Sequence, residues 1–171
     1  KPIEYIFCTS LFVYTGSKNG MIKLYSKMHM LEELIMPTIN MLSSAEKVKG
    51  QGVASAYQEQ VELVKKGLYP DFIVDINRKY RADIMHYHTI NLRYYTTLPL
   101  VKRKSKTVGY VHFLPETVET SLDMPKVIKK AFYNYMIQFY KNMDYLVTVN
   151  PYFITRLQSY GIDKKTIVYI P

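Results

Sequence analysis

The sequence predicts an α/β fold, a mostly parallel sheet with helices on both faces, and three observations predict it. Short apolar runs alternate with longer stretches whose apolar residues recur every three to four positions, as strands alternating with amphipathic helices do. Proline, asparagine and glycine stand at the junctions between them. The chain has 171 residues, 48% of them hydrophobic, enough for one domain with its own core and far from a disordered composition.

Residues 1–35 show no clear pattern and are expected to be an N-terminal extension or an extra strand and helix; the domain itself is expected over 36–171. Thr38 to Leu42 is a short apolar run and reads as the first strand. Ser43 to Gly52 is a polar, glycine-bearing loop. Val53 to Lys66 reads as a helix, with Val53, Ala56, Tyr57, Gln60, Val61 and Val64 on one face and Gly67 placed to end it. Phe72 to Ile76 and Ala82 to Tyr87 read as the second and third strands. Asn91 to Val101 reads as a helix that Pro99 kinks or ends early. Thr107 to Phe113 is a fourth strand. Pro125 to Met143 is a long helix with proline at its first position. Tyr145 to Val149 is a fifth strand. Asn150 caps a helix from Pro151 to Tyr160, which Gly161 ends, and Thr166 to Ile170 is a sixth strand. In parallel α/β sheets ligands gather at the carboxyl ends of the strands, which directs attention to the loops 43–52, 87–91 and 113–124.

The formal net charge is +9, which suits an anionic partner: nucleic acid, a membrane face or a phosphorylated substrate. The 17 tyrosines fit either compositional bias or interfacial anchoring, since tyrosine has an apolar body and a polar tip. A single cysteine, Cys8, excludes a disulfide framework. No apolar run reaches the roughly 20 residues that span a bilayer, so membrane contact is expected to be peripheral. The chain starts at Lys1 and stops at Pro171 just after a strand signal, and both ends read as cuts.

Four constellations are chemically suggestive. The loop with Gly50, Gln51 and Gly52 leads into a helix whose free N–H groups suit an anion, but Ser55 stands where a dinucleotide fingerprint needs its third glycine. His86 and His88 project to the same side at the end of the third strand, and with His112 they suggest either a zinc shell or packed histidines; no cysteine or carboxylate nearby completes a shell. His112 falls at the carboxyl end of the fourth strand with Glu116 close behind it, where an imidazole can bond a hydroxyl or stabilise developing charge. The helix from Pro125 packs an expected stripe of Ile128, Ala131, Phe132, Tyr135 and Phe139. It leaves Tyr133, Ile137 and Tyr140 on a second stripe flanked by Lys126, Lys129, Lys130 and Lys141. Basic residues beside aromatics suit an anionic membrane surface or a domain contact, and Lys102 to Lys106 add a second basic cluster.

Taken in order, Lys49 to Val53 with Ala56-Tyr57, Ala82 to His88, Gly109 to Glu116, Met143 to Asn150, and Tyr160-Gly161 through Ile167 to Pro171 resemble the N-terminal domain of glycosyltransferase family 4 enzymes of GT-B architecture. Within that family the pattern is most similar to bacterial diacylglycerol glucosyltransferases and related glycolipid synthases. The resemblance implies a Rossmann-like, acceptor-side domain whose C-terminal, donor-binding partner domain is absent from this sequence. It implies a retaining transfer of a hexose from a UDP-sugar to diacylglycerol or a glycosyl diacylglycerol, with no cofactor or essential metal. It maps the phosphate-approaching loop onto Gly50 and Gly52 and the active-site histidine onto His112; Gln51 and His88 are taken with them as donor- or substrate-binding candidates, and Glu116, from its place just after His112, as the second catalytic candidate. It also implies an anionic membrane surface as partner, held by Lys126, Lys129, Lys130, Tyr133, Ile137 and Tyr140, and a peripheral place on the inner face of the cell membrane. Alone, without a donor domain, the chain is expected to be inactive. A family 4 enzyme acting on a soluble or cell-wall acceptor is the alternative; a nucleic-acid-binding module finds no supporting signature.

Overall fold

The computed structural model describes residues 36–44, 52–79, 81–119 and 123–171, with side chains of the first helix described from Ser55 onward. Residues Pro37–Pro171 form one compact unit, which carries the sheet. Residues 1–35, which include Cys8, lie outside the described residues.

Six strands form the sheet: β1 (Thr38–Leu42), β2 (Ile73–Ile76), β3 (Ile84–Tyr87), β4 (Lys106–Tyr110), β5 (Tyr145–Thr148) and β6 (Ile167–Tyr169). All are parallel, in the order β2-β1-β3-β4-β5-β6. The helices are α1 (Gly52–Leu68), α2 (Leu92–Val101), α3 (Pro115–Val118), α4 (Lys126–Lys141) and α5 (Pro151–Ser159), with a 3-10 turn at Lys164–Thr166. The α/β class, the parallel sheet and its Rossmann-like winding are those the sequence predicts.

Strand alternation sends neighbouring side chains to opposite faces, and the two faces bury different cores. Ile39 and Met41 of β1 face α1, where they pack on Tyr57 and Val61, with Val64, Val74 and Ile84 beside them. Leu42, Met85, Tyr87 and Leu146 face the other way, toward α2, α4 and α5. The buried stripe of α4 is Met136, Phe139 and Tyr140, with Phe132 partly buried and Met143 just beyond the helix. This corrects the expected stripe: Ala131 is exposed, and Ile128 stands 55% exposed. Each fully buried side chain of this size contributes roughly 1.5–3 kcal/mol, which outweighs the small propensity differences along the helix.

Several details show how the termini are held. Asn91 caps α2 by accepting from the Tyr94 amide at 2.9 Å, and Asn150 caps α5 by accepting from the Tyr152 amide at 3.0 Å. Pro99 lies inside α2, which continues to Val101 without ending early. Gly67 does not end α1; it occupies the last turn, and the helix runs on to Leu68. Gly161 ends α5 with φ of +86°, a conformation glycine adopts without a Cβ penalty. Pro125 is the N-cap of α4 rather than its first residue, and β4 ends at Tyr110, so His112 lies in the following loop.

Two aspartates repeat one device. Asp83, just before β3, accepts from the amide and hydroxyl of Thr38 at 2.8 and 2.9 Å. Asp144, just before β5, accepts from the amide and hydroxyl of Thr107, both at 2.8 Å. Each pins the entry of one strand to its neighbour, and these bonds hold both carboxyls below their ordinary range; at Asp144 they outweigh an opposing push from burial.

The β2-to-β3 connection is unusual for a parallel crossover, because its described residues form no helix. It must pass over β1 and return the length of a strand, a diagonal of roughly 16 Å from two strand spacings and four residues of rise. Residues 77–83 reach about 23 Å when extended, so a bare segment suffices. Asn40, fully buried, brackets that segment by donating to the Arg78 carbonyl at 2.9 Å and accepting from the Arg78 amide at 3.1 Å. Asn77 turns the chain at φ of +49°, a region asparagine tolerates. Its amide donates to the Met41 carbonyl at 2.9 Å, and its side chain accepts from the Ser43 amide at 2.8 Å. The sheet face beside this segment therefore carries no helix of the crossover, and a groove remains there.

Candidate functional site

The order β2-β1-β3 means that the chain leaves β1 toward one edge and returns on its other side. The gap beyond the carboxyl ends of β1 and β3 is thus the topological switch point, where doubly wound sheets receive ligands. Ser44, after β1, is tied across this gap to Thr89, after β3. Its amide donates to Thr89 Oγ1, and the two hydroxyls lie 2.9 Å apart. His88 closes the strand end by donating its amide to the Leu42 carbonyl at 2.8 Å. α1 begins at Gly52, so its N-terminus follows from the same β1 end; Gly50 and Gln51 of the expected phosphate loop lie outside the described residues.

Alternation along β3 and β4 brings His86, His88, Tyr110 and His112 to the α1 face. Ring centroids are 4.4 Å apart for His86 and His88, 5.3 Å for His88 stacked on Tyr110, and 4.4 Å for Tyr110 and His112. Tyr57 of α1 meets His88 edge-on at 5.0 Å, and the Tyr57 hydroxyl donates to the Met41 carbonyl at 2.9 Å. Burial drives the His86 imidazole down to about 4, helped by the charge of His112. Burial also takes His88 down to about 2, with His86 and His112 adding to it, and His112 down to about 4. All three rings are therefore neutral at pH 7, each offering one donor and one acceptor nitrogen. His86 Nε2, both nitrogens of His88 and His112 Nε2 are buried without a hydrogen-bond partner. Among the described residues no group of three His, Cys, Asp or Glu side chains has the arrangement of a metal shell, so the zinc alternative gains nothing from the geometry.

The predicted residues take distinct positions. His112 is half-buried, with its Nε2 buried and without a hydrogen-bond partner. His88, expected to touch donor or substrate, is only 1% exposed between Tyr57 and Tyr110, so it supports the site from behind rather than lining its surface. Glu116, on α3, is committed elsewhere. One of its carboxylate oxygens accepts from Nε and Nη2 of Arg156 and from the Tyr160 hydroxyl. Burial pushes this carboxyl up, but the bonds from Tyr160 and Arg156 together bring it below its ordinary range. The other carboxylate oxygen, Oε2, is buried without a hydrogen-bond partner, and through Oε1 the side chain straps the 112–118 segment to α5. Arg156 and Tyr160 escaped the sequence analysis, although their spacing of four places both on one helix face. Tyr140 braces the same segment from α4, donating to the Phe113 carbonyl at 3.0 Å.

That last contact corrects the expected membrane face. Tyr140 is 2% exposed and belongs to the core, and Tyr133 and Ile137 are half-buried. Lys129 folds back to donate to the Glu119 carbonyl at 3.0 Å. The exposed side chains of α4 include Lys126, Val127, Ile128 and Lys130 in its first turns, with Val127 81% exposed, and Ala131, Asn134, Gln138 and Lys141 further along. No helix among the described residues is long and apolar enough to cross a membrane.

The comparisons with known proteins agree with this geometry. The chain is 46% identical over 133 residues to the alpha-galactosylglucosyldiacylglycerol synthase of Streptococcus pneumoniae (strain ATCC BAA-255 / R6), an alignment covering 78% of this chain and 36% of that protein. The chain thus spans about a third of the length of the curated relative it matches. No solved structure matches it significantly. The profile of Glycosyltransferase Family 4 matches residues 63–171, which contain the β3 and β4 ends, His112 and the Glu116 strap. With a parallel doubly wound sheet and its switch-point histidines inside or beside a match over most of its length, the chain belongs to glycosyltransferase family 4.

Proposed function

We propose that the protein containing this chain is a retaining hexosyltransferase that moves a hexose from a UDP-sugar to diacylglycerol or a glycosyl diacylglycerol at a membrane surface. The observation that carries this reading is the half-buried, neutral His112 at the carboxyl end of β4, within a family 4 match and beside the switch point. The acceptor class comes from the name of the pneumococcal relative.

In the reaction the bond between the sugar's anomeric carbon and the UDP oxygen breaks. A bond from that carbon to the acceptor hydroxyl oxygen forms on the same face, and the acceptor's proton passes to the departing UDP oxygen. Charge grows on the departing phosphate and on the sugar as the bond breaks, so preorganised dipoles that favour the transition state over the ground state speed the step. A neutral imidazole at His112 serves that purpose: it bonds a sugar hydroxyl or the reacting centre without the cost of desolvating a cation. The N-terminus of α1 with Gly50, Gln51 and Gly52 would receive phosphate oxygens on backbone N–H groups. Glu116 holds the His112 segment through Arg156 and Tyr160 and is a positioning residue. Lys126, Lys130, Val127 and Ile128 would seat the first turn of α4 on an anionic bilayer, with Tyr133 and Ile137 beneath, keeping the enzyme on the inner membrane face where its acceptor lies.

The test is His112→Ala and His112→Asn in the full-length enzyme. Loss of an electrostatic contact made in the transition state lowers kcat by roughly a hundredfold or more, with the circular dichroism spectrum unchanged. Wild-type turnover in both variants contradicts the assignment.

A further inference from the structure

Around His112 the backbone is better held than the imidazole. The Val111 amide donates to the Val147 carbonyl at 2.8 Å, the Tyr140 hydroxyl to the Phe113 carbonyl at 3.0 Å, and the Leu114 amide to Thr117 Oγ1 at 2.9 Å. The ring has no such hold at Nε2, which is buried without a hydrogen-bond partner. Its plane is therefore set by what packs against it. Tyr110 does so, from the same side of an extended chain, with ring centroids 4.4 Å apart. Tyr110 in turn lies on the face of His88, at 5.3 Å with 14° between the planes. Tyr57 of α1 meets His88 edge-on at 5.0 Å, and its hydroxyl fixes it to β1 through the Met41 carbonyl. Tyr57, His88 and Tyr110 are all buried. Both nitrogens of His88 lack hydrogen-bond partners, so this imidazole contributes a flat aromatic face and no polar contact.

We infer that His88 is a positioning residue for the sugar transfer: its ring holds the face of Tyr110, and Tyr110 holds the His112 imidazole in the plane from which it meets the sugar. The inference rests on the reading of His112 given above and adds a requirement to it. What the site needs at position 88 is a flat side chain, and neither a proton nor a hydrogen bond. Misplacing a group at a reacting centre by ~1 Å costs on the order of a hundredfold in rate, so a tilt of the His112 ring registers in turnover.

The experiment compares His88→Phe with His88→Leu in the full-length enzyme, on UDP-glucose or UDP-galactose with diacylglycerol vesicles. The His112 ring is followed by NMR of protein isotopically labelled at histidine Cε1, its signal identified by its absence from His112→Ala. Phenylalanine keeps the flat face, so His88→Phe retains wild-type kcat and leaves the His112 signal, shifted by the ring current of Tyr110, in place. Leucine has a similar volume without the flat face. His88→Leu therefore lowers kcat roughly tenfold or more with KM little changed, and moves the His112 signal while its melting temperature stays near that of His88→Phe. Wild-type kcat or an unmoved His112 signal in His88→Leu overturns the inference. An equal loss of kcat in both variants also overturns it, because the nitrogens of His88 would then be the working part. Wild-type turnover in His112→Ala overturns the sugar-transfer reading of His112 and the inference with it; wild-type turnover confined to His88→Leu overturns the inference alone.

Discussion

Acidification from pH 8 to pH 5 should cost this domain much of its stability through its buried histidines. In the unfolded chain an imidazole titrates near 6.5. In the fold, burial takes His86 and His112 down to about 4 and His88 to about 2. The groups are bases with depressed values, so between pH 4 and 6.5 the unfolded state binds more protons and stability rises with pH. The contribution is complete above about pH 7.5 and is lost as pH falls through 6.5. At pH 5 each unfolded imidazole is almost fully charged while each folded one is still mostly neutral, a loss of ~2 kcal/mol per group. Three groups approach ~6 kcal/mol, comparable to the whole stability of a small domain. Asp83, Asp144 and Glu116 sit below their ordinary range and stay ionised through this window, so they do not blur it. Urea unfolding followed by far-UV circular dichroism at pH 8, 6.5 and 5 measures the effect, and His88→Phe, which keeps a ring between Tyr57 and Tyr110, should remove about a third of the slope. A stability that is flat or rises on acidification refutes the claim that these imidazoles are held neutral.

Other substitutions probe single contacts. A Cβ at Gly109 would stand 2.9 Å from Met143 Cγ and 3.0 Å from a Leu146 methyl, so Gly109→Ala should overpack the β4–β5 core and cost about 1–3 kcal/mol in urea melts. Asn40→Ala leaves the Arg78 amide and carbonyl without their buried partner, which should cost about 2–3 kcal/mol and lower the melting temperature by several degrees. Glu116→Gln in the full-length enzyme should weaken the strap to Arg156 and Tyr160 and lower kcat with little change in KM, whereas an activity that loses its acid limb altogether would make Glu116 a proton acceptor.

The strand and helix order was legible because each run is bounded by its own chemistry. Asn91, Asn150 and Gly161 are caps and stops in the sequence and in the fold. The α4 face was less legible. Ile128 and Ala131 share a helical stripe with Phe132, yet it is Met136 and Tyr140 that meet the sheet, because a helix rich in apolar residues all round is oriented by its partners. For the same reason Tyr140 passed for an interfacial anchor, although its hydroxyl has a partner inside the domain. His112 was singled out from its position near a strand end and from the family resemblance, and it stands in the loop just after β4. The commitment of Glu116 to Arg156 and Tyr160 was hidden, since 40 and 44 residues separate the partners and no local pattern joins them.

The central claim, sugar transfer to a glycerolipid, is tested most directly by incubating the full-length enzyme with radiolabelled UDP-glucose or UDP-galactose and vesicles containing diacylglycerol or glucosyl diacylglycerol, then extracting the lipid phase. The account predicts label in a glycosyl diacylglycerol whose new bond keeps the donor's anomeric configuration, and loss of that label with His112→Ala. Label confined to water-soluble products, or an inverted linkage, contradicts it.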